Sequence, residues 1–290
     1  MVSMSMINTT NTLNTTNTVN TANATNGFAK FALIFRHYFI RNCRDIISLL
    51  VYGILPIGII TVNYFIINNL YYIDEATLAT SPFTYVDEAT LAASATSIST
   101  FILMAFQFFC GDVLVYNLNS DFRSPMRWRL YSSPVTNRTF ILAIITSSWI
   151  YSIIYGVIII IFSTLIFNVY WGNLVILFSV FLIISVIAQF TGILICLLTK
   201  TQKVGSTIMQ IICFGMMILS GGFFIPLGDS EFARFLTTYG TPVSLAYTAV
   251  LNAHPYLDNI NQSIFNLGIL AVIALVMVAI VLVLGRRRAI

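Results

Sequence analysis

The sequence of 290 residues is too apolar for a water-soluble protein, because 58% of its residues are hydrophobic, only 8% are charged and the mean hydropathy is +0.90. A soluble domain carries about 25% charged residues. This composition excludes a soluble globular fold and indicates an integral membrane protein. The four cysteines are scattered along the chain, so they show neither a disulfide framework nor the ligand spacing of a zinc site.

An Asn- and Thr-rich tail forms residues 1–27, and its stretch Asn8–Asn26 has neither a charged residue nor an apolar face. Such segments cannot bury enough apolar surface to fold, so we expect the tail to be disordered. It lacks the basic start and the apolar core of a cleaved signal peptide. We expect one membrane domain to follow it over residues 28–288.

The next stretch, Phe28–Arg44, has the pattern of an amphipathic helix. Lys30, His37, Arg41 and Arg44 recur at helical spacing on one stripe, and phenylalanines lie opposite. This pattern suits a helix that lies in the inner membrane interface, with its cations at anionic lipid headgroups. It predicts either an elbow helix that transmits movement to the first span or a simple basic anchor.

Six apolar stretches are long enough to cross the hydrocarbon core, which needs about 20 predominantly apolar residues per helix. The predicted spans are residues 46–70, 94–117, 139–166, 173–198, 206–224 and 264–284. We therefore predict an all-α integral membrane protein with six transmembrane helices, preceded by the N-terminal amphipathic elbow helix.

The charges predict the orientation of these spans. Thirteen of the 14 Lys and Arg residues fall on one side of the membrane, with Arg234 as the exception, and seven of the 10 acids fall on the other side. Lys and Arg are retained in cytoplasmic loops. The sequence thus predicts a multi-pass protein of the plasma membrane with both termini in the cytoplasm, and the net charge of +4 reflects this orientation rather than nucleic-acid binding.

The exterior loop between the first two spans contains a tandem duplication, with one copy starting at Tyr72 and the other at Tyr85. Two copies are too few for a solenoid. Each copy carries an Asp-Glu pair, and a solvated acidic loop is a better interpretation than a cation site. The role of this loop stays open.

Polar residues inside the spans are candidates for the translocation pathway or its gating, because such groups usually face a bundle interior or a wet pathway. Asp112 is the only acid within a predicted span. It lies roughly 8 Å from the predicted inner end of the second span, and both structural pairing with a loop arginine and a role in gating stay open. The other candidates are Gln107, Gln189, Thr191, Met216, Gly221 and Gly222. For the last three, ordinary helix packing is the favoured alternative, and Gly221–Pro226 is better explained as the segment that ends the fifth span and turns the chain.

The cytoplasmic loop between the second and third spans predicts a short helix. Ser124 is suited to cap it, Pro125 to occupy its first position and Pro134 to end it. The alternative is a basic turn that only enforces orientation. Trp128 favours a docking surface, because Trp and Arg dominate protein interfaces.

The order of these parts resembles the ABC transmembrane type-2 permeases of ABC exporters over roughly residues 28–288. The matching parts are the elbow helix, the loop helix that ends in Tyr131–Val135, the motif Ser220–Pro226 after the fifth span, and Thr241-Pro242 before the sixth. Many relatives carry a Glu and a Gly-Thr pair early in the loop, where this chain has Asp121 and no Gly-Thr.

The resemblance implies a permease subunit that exports a substrate, driven by ATP hydrolysis in a separate nucleotide-binding subunit. No Gly-x-x-x-x-Gly-Lys-Ser/Thr phosphate loop occurs in the sequence, so ATP and Mg would be bound by that partner and this chain would not be an enzyme. A second permease subunit, identical or different, would complete the transporter. The resemblance assigns contacts with the ATPase to Asp121, Arg123, Met126, Arg127, Trp128, Arg129 and Leu130, with Lys200 and Lys203 as a lesser contact.

Two other function classes fit the sequence less well. An ion-coupled secondary transporter without an ATPase partner would need buried charges and inverted repeats, and only Asp112 is available. An intramembrane enzyme would need a paired acid, a nucleophile with its base or a metal cluster, but His37 and His254 fall on opposite sides of the membrane. The sequence predicts no cofactor, no metal and no nucleic-acid partner for this chain, and leaves the substrate undetermined.

Overall fold

The structure is a computed structural model that describes residues 27–77, 88–122, 135–221, 230–255 and 259–288. Within these ranges only the backbone is described for residues 67–77, 88–93, 137 and 286–288. The predicted tail therefore lies outside the described residues, apart from its last position. So do the centre of the duplicated loop, the predicted loop helix and Gly222.

Every regular element among the described residues is a helix. The chain begins with α1 over residues 27–44. The remaining elements are α2 (Ile46–Leu49), a π-helical segment (Leu50–Ile54), α3 (Leu55–Thr77), α4 (Glu88–Phe109), α5 (Gly111–Phe122), α6 (Asn137–Phe167), α7 (Leu174–Leu198), α8 (Gln202–Leu219), α9 (Glu231–Tyr239), α10 (Pro242–Asn252) and α11 (Ile260–Arg288).

Six of these helical stretches are long and apolar enough to cross a membrane, which confirms the predicted number of spans. They are Ile46–Ile66, Ser94–Phe122, Arg138–Phe167, Leu174–Leu198, Gln202–Leu219 and Ile260–Gly285. The first combines α2, the π-helical segment and α3, and the second combines α4 and α5. The third, fourth, fifth and sixth spans are α6, α7, α8 and α11.

The bounds of several spans differ from the prediction; the sixth begins at Ile260 instead of 264, and local contacts explain the differences in the second and the fifth. The second continues to Phe122 instead of stopping at 117, because Asn117 and Asn119 are buried with partners in the bundle. Asn117 Nδ2 donates to Asn42 Oδ1 at 2.8 Å, and Asn119 Nδ2 donates to Cys196 Sγ at 3.4 Å.

The fifth span begins at Gln202 and ends at Leu219 instead of covering 206–224. The Thr201 hydroxyl caps its start by accepting from the Val204 N–H. At its other end Gly221 has φ 68°, a left-handed conformation that favours glycine and stops the helix. Both boundaries therefore follow from local chemistry that hydropathy alone does not report.

The second span forms the centre of the bundle. In its most apolar window 94% of the residues are buried, whereas the corresponding figure is 11% in the sixth span. Large side chains such as Phe101, Phe108 and Leu103 fill the interior beside Tyr151 of α6 and Phe181 of α7. Any movement of the second span therefore displaces residues throughout the bundle.

Two glycines allow α5 to cross α7 at close range. A Cβ atom on Gly111 would lie 2.5 Å from the Ala188 carbonyl oxygen, and a Cβ atom on Gly192 would lie 2.8 Å from the Gly111 carbonyl oxygen. Small residues let membrane helices approach until their backbones touch. The crossing holds the inner half of the second span firmly against the fourth.

The end of the bundle nearest α1 is called the inner end. Helix α1 packs there through Ile34 and Tyr38, which are buried against Leu114 and Leu118 of α5 and Ile144 of α6. The aromatic face of α1 is thus only partly available for lipid, because part of it lies against the spans.

Candidate functional site

Helix α1 is tied to the inner end of the second span by four polar residues, Tyr38, Arg41, Ser120 and Asp121, which we call the junction cluster. Arg41 Nη1 donates to both carboxylate oxygens of Asp121, at 3.1 and 3.3 Å, and Arg41 Nη2 donates to Ser120 Oγ at 2.7 Å. The Tyr38 hydroxyl donates to Asp121 Oδ2. The cluster joins residues that are about 80 positions apart along the chain.

Aromatic rings surround the cluster. The guanidinium carbon of Arg41 lies 5.7 Å from the ring centroid of Tyr38 and 5.6 Å from that of Tyr116, within the range of cation–π attraction. Phe140, near the start of the third span, packs edge-on against Tyr38 and Phe122. The junction therefore contacts three elements, which are α1, α5 and α6.

The protonation states of the cluster follow from its surroundings. Burial, together with the hydrogen bond and the charge of Asp121, raises the pKa of Tyr38 far above its ordinary value, so the phenol stays neutral and donates. Burial alone would lower the pKa of Arg41, but the Asp121 carboxylate outweighs it and the pKa is raised. Arg41 therefore stays protonated in this pair.

The structure places the predicted coupling residues only in part. Asp121 lies in the junction cluster and faces α1, so its predicted direct contact with an ATPase stays a prediction. Lys200 and Lys203 lie at the turn between α7 and α8 and are both exposed. This turn sits at the same inner end, because a Cβ atom on Gly205 would lie 2.8 Å from Asn119 Nδ2 of α5. The predicted contacts that lie outside the described residues are Arg123, Met126, Arg127, Trp128, Arg129 and Leu130.

Asp112 forms a second candidate site, inside the membrane and one position after the start of α5. Its Oδ2 accepts from the Tyr52 hydroxyl at 3.4 Å and from Gln210 Nε2 at 3.3 Å. Ser206 also faces the carboxylate, while Oδ1 is buried and has no partner among the described residues. The carboxylate is therefore held by neutral donors from the first and fifth spans.

The position of Asp112 corrects the sequence-based estimate of its depth. Because α5 continues to Phe122, the carboxylate lies about 15 Å along the helix from its inner end rather than roughly 8 Å. Its partner Tyr52 belongs to the π-helical segment Leu50–Ile54. Such segments within α-helices often occur at functional sites.

The fifth span presents an exposed polar stripe beside this carboxylate. Lys203, Thr207 and Gln210 recur at helical spacing and are all exposed. Gln210 is also the residue that reaches Asp112. Polar groups at membrane depth usually avoid lipid and face a protein partner or a wet pathway.

The other predicted pathway residues do not form one site. Gln107 Nε2 donates to Ser152 Oγ at 2.6 Å and so joins the second and third spans. Thr191 donates within its own helix to the Ile187 carbonyl at 2.8 Å. Gln189 is buried, and neither of its amide atoms has a partner among the described residues.

Met216 is half-buried on α8, and Gly221 ends that helix through its positive φ. The predicted pathway role of these two residues stays a prediction. No group of three or more His, Cys, Asp or Glu residues in the described parts of the chain is placed to hold a metal ion.

Sequence reasoning missed Tyr38, Tyr52 and Gln210. The polar stripe of the fifth span could have been found, because Lys203, Thr207 and Gln210 follow a helical period in the sequence. Tyr38 and Tyr52 carry no such signal, because their partners are distant along the chain.

Comparison with known protein families completes the description of the chain. A family described as ABC-2 family transporter protein matches residues 2–283. No curated protein shows a significant match to the sequence.

Proposed function

Because the chain belongs to the ABC-2 family of transporter proteins, we propose that it is a permease subunit that exports a substrate across the cell membrane, driven by ATP hydrolysis in a separate nucleotide-binding subunit. A second permease subunit completes the transporter, and both termini of each permease lie in the cytoplasm. The family supports a membrane permease, and the six apolar helices support a multi-pass protein. The ATPase partner, the number of subunits and the direction of transport belong to the proposal.

The junction cluster is the observation that carries the proposed mechanism. Residues 123–134, the proposed coupling segment, directly follow α5, and the last turn of α5 contains Ser120 and Asp121. Arg41 ties that turn to α1, and the glycine crossing ties α5 to α7. A push on the coupling segment would thus move the buried second span, α1 and the fourth span together. This linkage is what alternating access driven by an ATPase requires.

The polar stripe of the fifth span supports a pathway between two permease subunits. Thr207 and Gln210 are exposed at membrane depth, and Asp112 lies behind Gln210. The Thr207 hydroxyl donates to the Lys203 carbonyl and Gln210 Nε2 donates to Asp112, but the polar surface that stays exposed fits a wet pathway or a second subunit better than lipid. We therefore assign this face of the fifth span to the pathway or to the contact with the second permease subunit.

The coupling role is tested by replacing Met126 and Trp128 together with Ala. The complex with its ATPase is reconstituted in vesicles, and ATP hydrolysis and substrate export are measured side by side. We expect export per ATP hydrolysed to fall at least about tenfold, as interface hot spots are worth about 2 kcal/mol or more. The variant Phe232→Ala is the matched control, because that exposed aromatic residue lies on α9 at the opposite end of the bundle. Unchanged coupling in the double variant would refute the assignment.

An ion-coupled secondary transporter is the second candidate, and the buried carboxylate is the observation that favours it. Asp112 has one oxygen without a partner among the described residues, as a proton or cation carrier would need. In the same vesicles, Asp112→Asn should leave ATP-driven export dependent on the ATPase, since Asn keeps an acceptor for Tyr52 and Gln210. Transport that needs no ATPase and is lost in Asp112→Asn would establish the alternative.

A further inference from the structure

A cavity of about 460 Å³ lies between α1 and the inner part of the second span, at the point where the chain enters the first span. Its volume is within the range of small-ligand sites, about 300–1,000 Å³. The residues that line it include His37, Arg41, Asn42, Arg44, Asp45 and Tyr116. None of its lining residues belongs to the Asp112 site.

The cavity offers donors for an anionic group. Arg44 is exposed and forms no ion pair with any residue whose side chain the structure describes. Asn42 is only 3% exposed. Its Oδ1 accepts from Asn117, and its Nδ2 is buried without a partner among the described residues. A buried donor without a partner costs about 1–3 kcal/mol, and a small rotation of the amide toward the cavity, which Asn42 lines, would let an acceptor there remove this penalty.

The acid in the lining is turned toward α2. Asp45 Oδ1 accepts from the Ile47 N–H at 3.2 Å, and Asp45 Oδ2 accepts from Ser48 Oγ at 2.7 Å. These hydrogen bonds hold the carboxylate at the start of α2 but leave its negative charge in place. Arg41 is paired with Asp121, whereas Arg44 forms no ion pair with a described side chain and so can donate to an anionic group in the cavity.

Apolar surface flanks the cavity on the side of the first span. Ile46 and Ile47 directly follow the lining residue Asp45, and each is 72% exposed. Ile40, which also lines the cavity, is 37% exposed. A ligand that is anionic at one end and apolar at the other matches this arrangement, whereas a free phosphate ion would leave the apolar surface uncovered.

We propose that this cavity binds the phosphodiester headgroup of an anionic phospholipid, with Arg44 and the Asn42 amide as donors to the phosphate and the acyl chains along Ile46 and Ile47. The site would anchor α1 to one lipid at the membrane boundary. The proposal rests on the placement of the six spans in a membrane and does not depend on the ATPase or on the direction of transport.

The test is native mass spectrometry of the full-length protein in detergent, titrated with phosphatidylglycerol or with phosphatidylcholine of the same acyl chains. Both lipids carry the phosphodiester, but we expect phosphatidylglycerol to bind at least about tenfold more tightly, because the trimethylammonium group of phosphatidylcholine cancels the headgroup's net charge and would lie near Arg41 and Arg44. Arg44→Gln should weaken its binding at least about fivefold. Arg36→Gln is the matched control, because it removes the same charge from the same helix at an exposed position that does not line the cavity.

A second variant and a competition arm complete the test. Asn42→Asp keeps the size of the side chain but replaces the unpartnered donor with an acid, and we expect it to abolish the preference for phosphatidylglycerol. Because Asn42 is buried, its folding is checked by circular dichroism, and the exposed Arg44 variant decides the question by itself if Asn42→Asp does not fold. Equal losses in Arg44→Gln and Arg36→Gln, or equal binding of both lipids, would overturn the proposal. Displacement by millimolar inorganic phosphate would identify a soluble phosphate as the ligand and overturn the lipid assignment.

Discussion

The junction cluster predicts that the ion pair between Arg41 and Asp121 helps to hold α1 to the second span, and that its removal loosens the helix without unfolding the bundle. The perturbation is a double-mutant cycle that comprises Arg41→Gln, Asp121→Asn and the two combined. Gln and Asn keep most of the side-chain volume and remove the charges. In Asp121→Asn the Tyr38 hydroxyl still has an acceptor, so the cycle isolates the contribution of the ion pair.

The magnitude follows from the exposure of the pair. The Arg41 and Asp121 side chains are 30% and 23% exposed, so the pair lies between a surface ion pair and a buried one. Fully exposed pairs contribute about 0.2–1 kcal/mol, and hydrogen bonds to charged groups contribute about 1.5–3 kcal/mol. We therefore expect a coupling free energy of about 1–2 kcal/mol, which corresponds to a factor of about 5–30 in the equilibrium between docked and undocked α1.

The assay is hydrogen exchange of the α1 amides, residues 27–44, in lipid nanodiscs. Local opening of one helix is read directly from its amide protection. Either single variant should lower the protection of α1 by about 5–30-fold. The double variant should lower it by less than the product of the two single effects, because both substitutions remove the same interaction. Arg36→Gln, on the exposed part of α1, should leave the protection within about twofold of the unmodified protein.

Two results would refute this reasoning. If Arg41→Gln and Arg36→Gln change the protection of α1 equally, the effect is one of net charge rather than of the pair with Asp121. If the free-energy effects of Arg41→Gln and Asp121→Asn add to within about 0.5 kcal/mol in the double variant, the two residues do not interact energetically.

Two further predictions concern packing and topology. Gly111→Ala should destabilise the protein by about 1–3 kcal/mol, because the added Cβ would lie 2.5 Å from the Ala188 carbonyl oxygen. The control Gly215→Ala should be close to neutral, because its Cβ would meet nothing within 4 Å. Thermal unfolding in nanodiscs measures both variants, and equal melting temperatures would contradict the close crossing of α5 and α7. A membrane-impermeant maleimide should label Cys43 from the cytoplasmic side, because this thiol is exposed while Cys110 and Cys213 are buried. Labelling of Cys43 from outside intact cells would contradict the predicted orientation. Because burial raises the pKa of the Cys43 thiol, the labelling rate should still increase with pH above the ordinary thiol pKa of about 8.5.

The sequence predicted the class of fold and the number of spans because these depend on local properties. A helix of about 20 apolar residues is the simplest way to cross the hydrocarbon without unpaired backbone groups, and each stretch meets that requirement by itself. The family was also within reach, because its motifs are short and continuous. The ends of the second and fifth spans were predicted less well, because buried asparagines and a glycine with positive φ decide them.

The candidate sites depended on packing between distant segments. Arg41 and Asp121 are 80 positions apart, and Gln210 reaches Asp112 across 98 positions. Hydropathy and helical period report which face of a helix is polar, but they do not report which other helix meets that face. The sequence predicted Asp121 as a contact with the ATPase, and Asp112 as either the partner of a loop arginine or part of a gate; it did not predict the partners within the chain that the structure shows.

Apolar length and short motifs are properties of continuous segments, so they were enough to predict a six-span membrane permease without a phosphate loop. The pairing of Asp121 with Arg41, and of Asp112 with Tyr52 and Gln210, could be seen only in the folded protein. The physical reason is that glycine crossings and side-chain packing set the distances between helices, and polar groups in a medium without water take whichever partner those distances bring within reach.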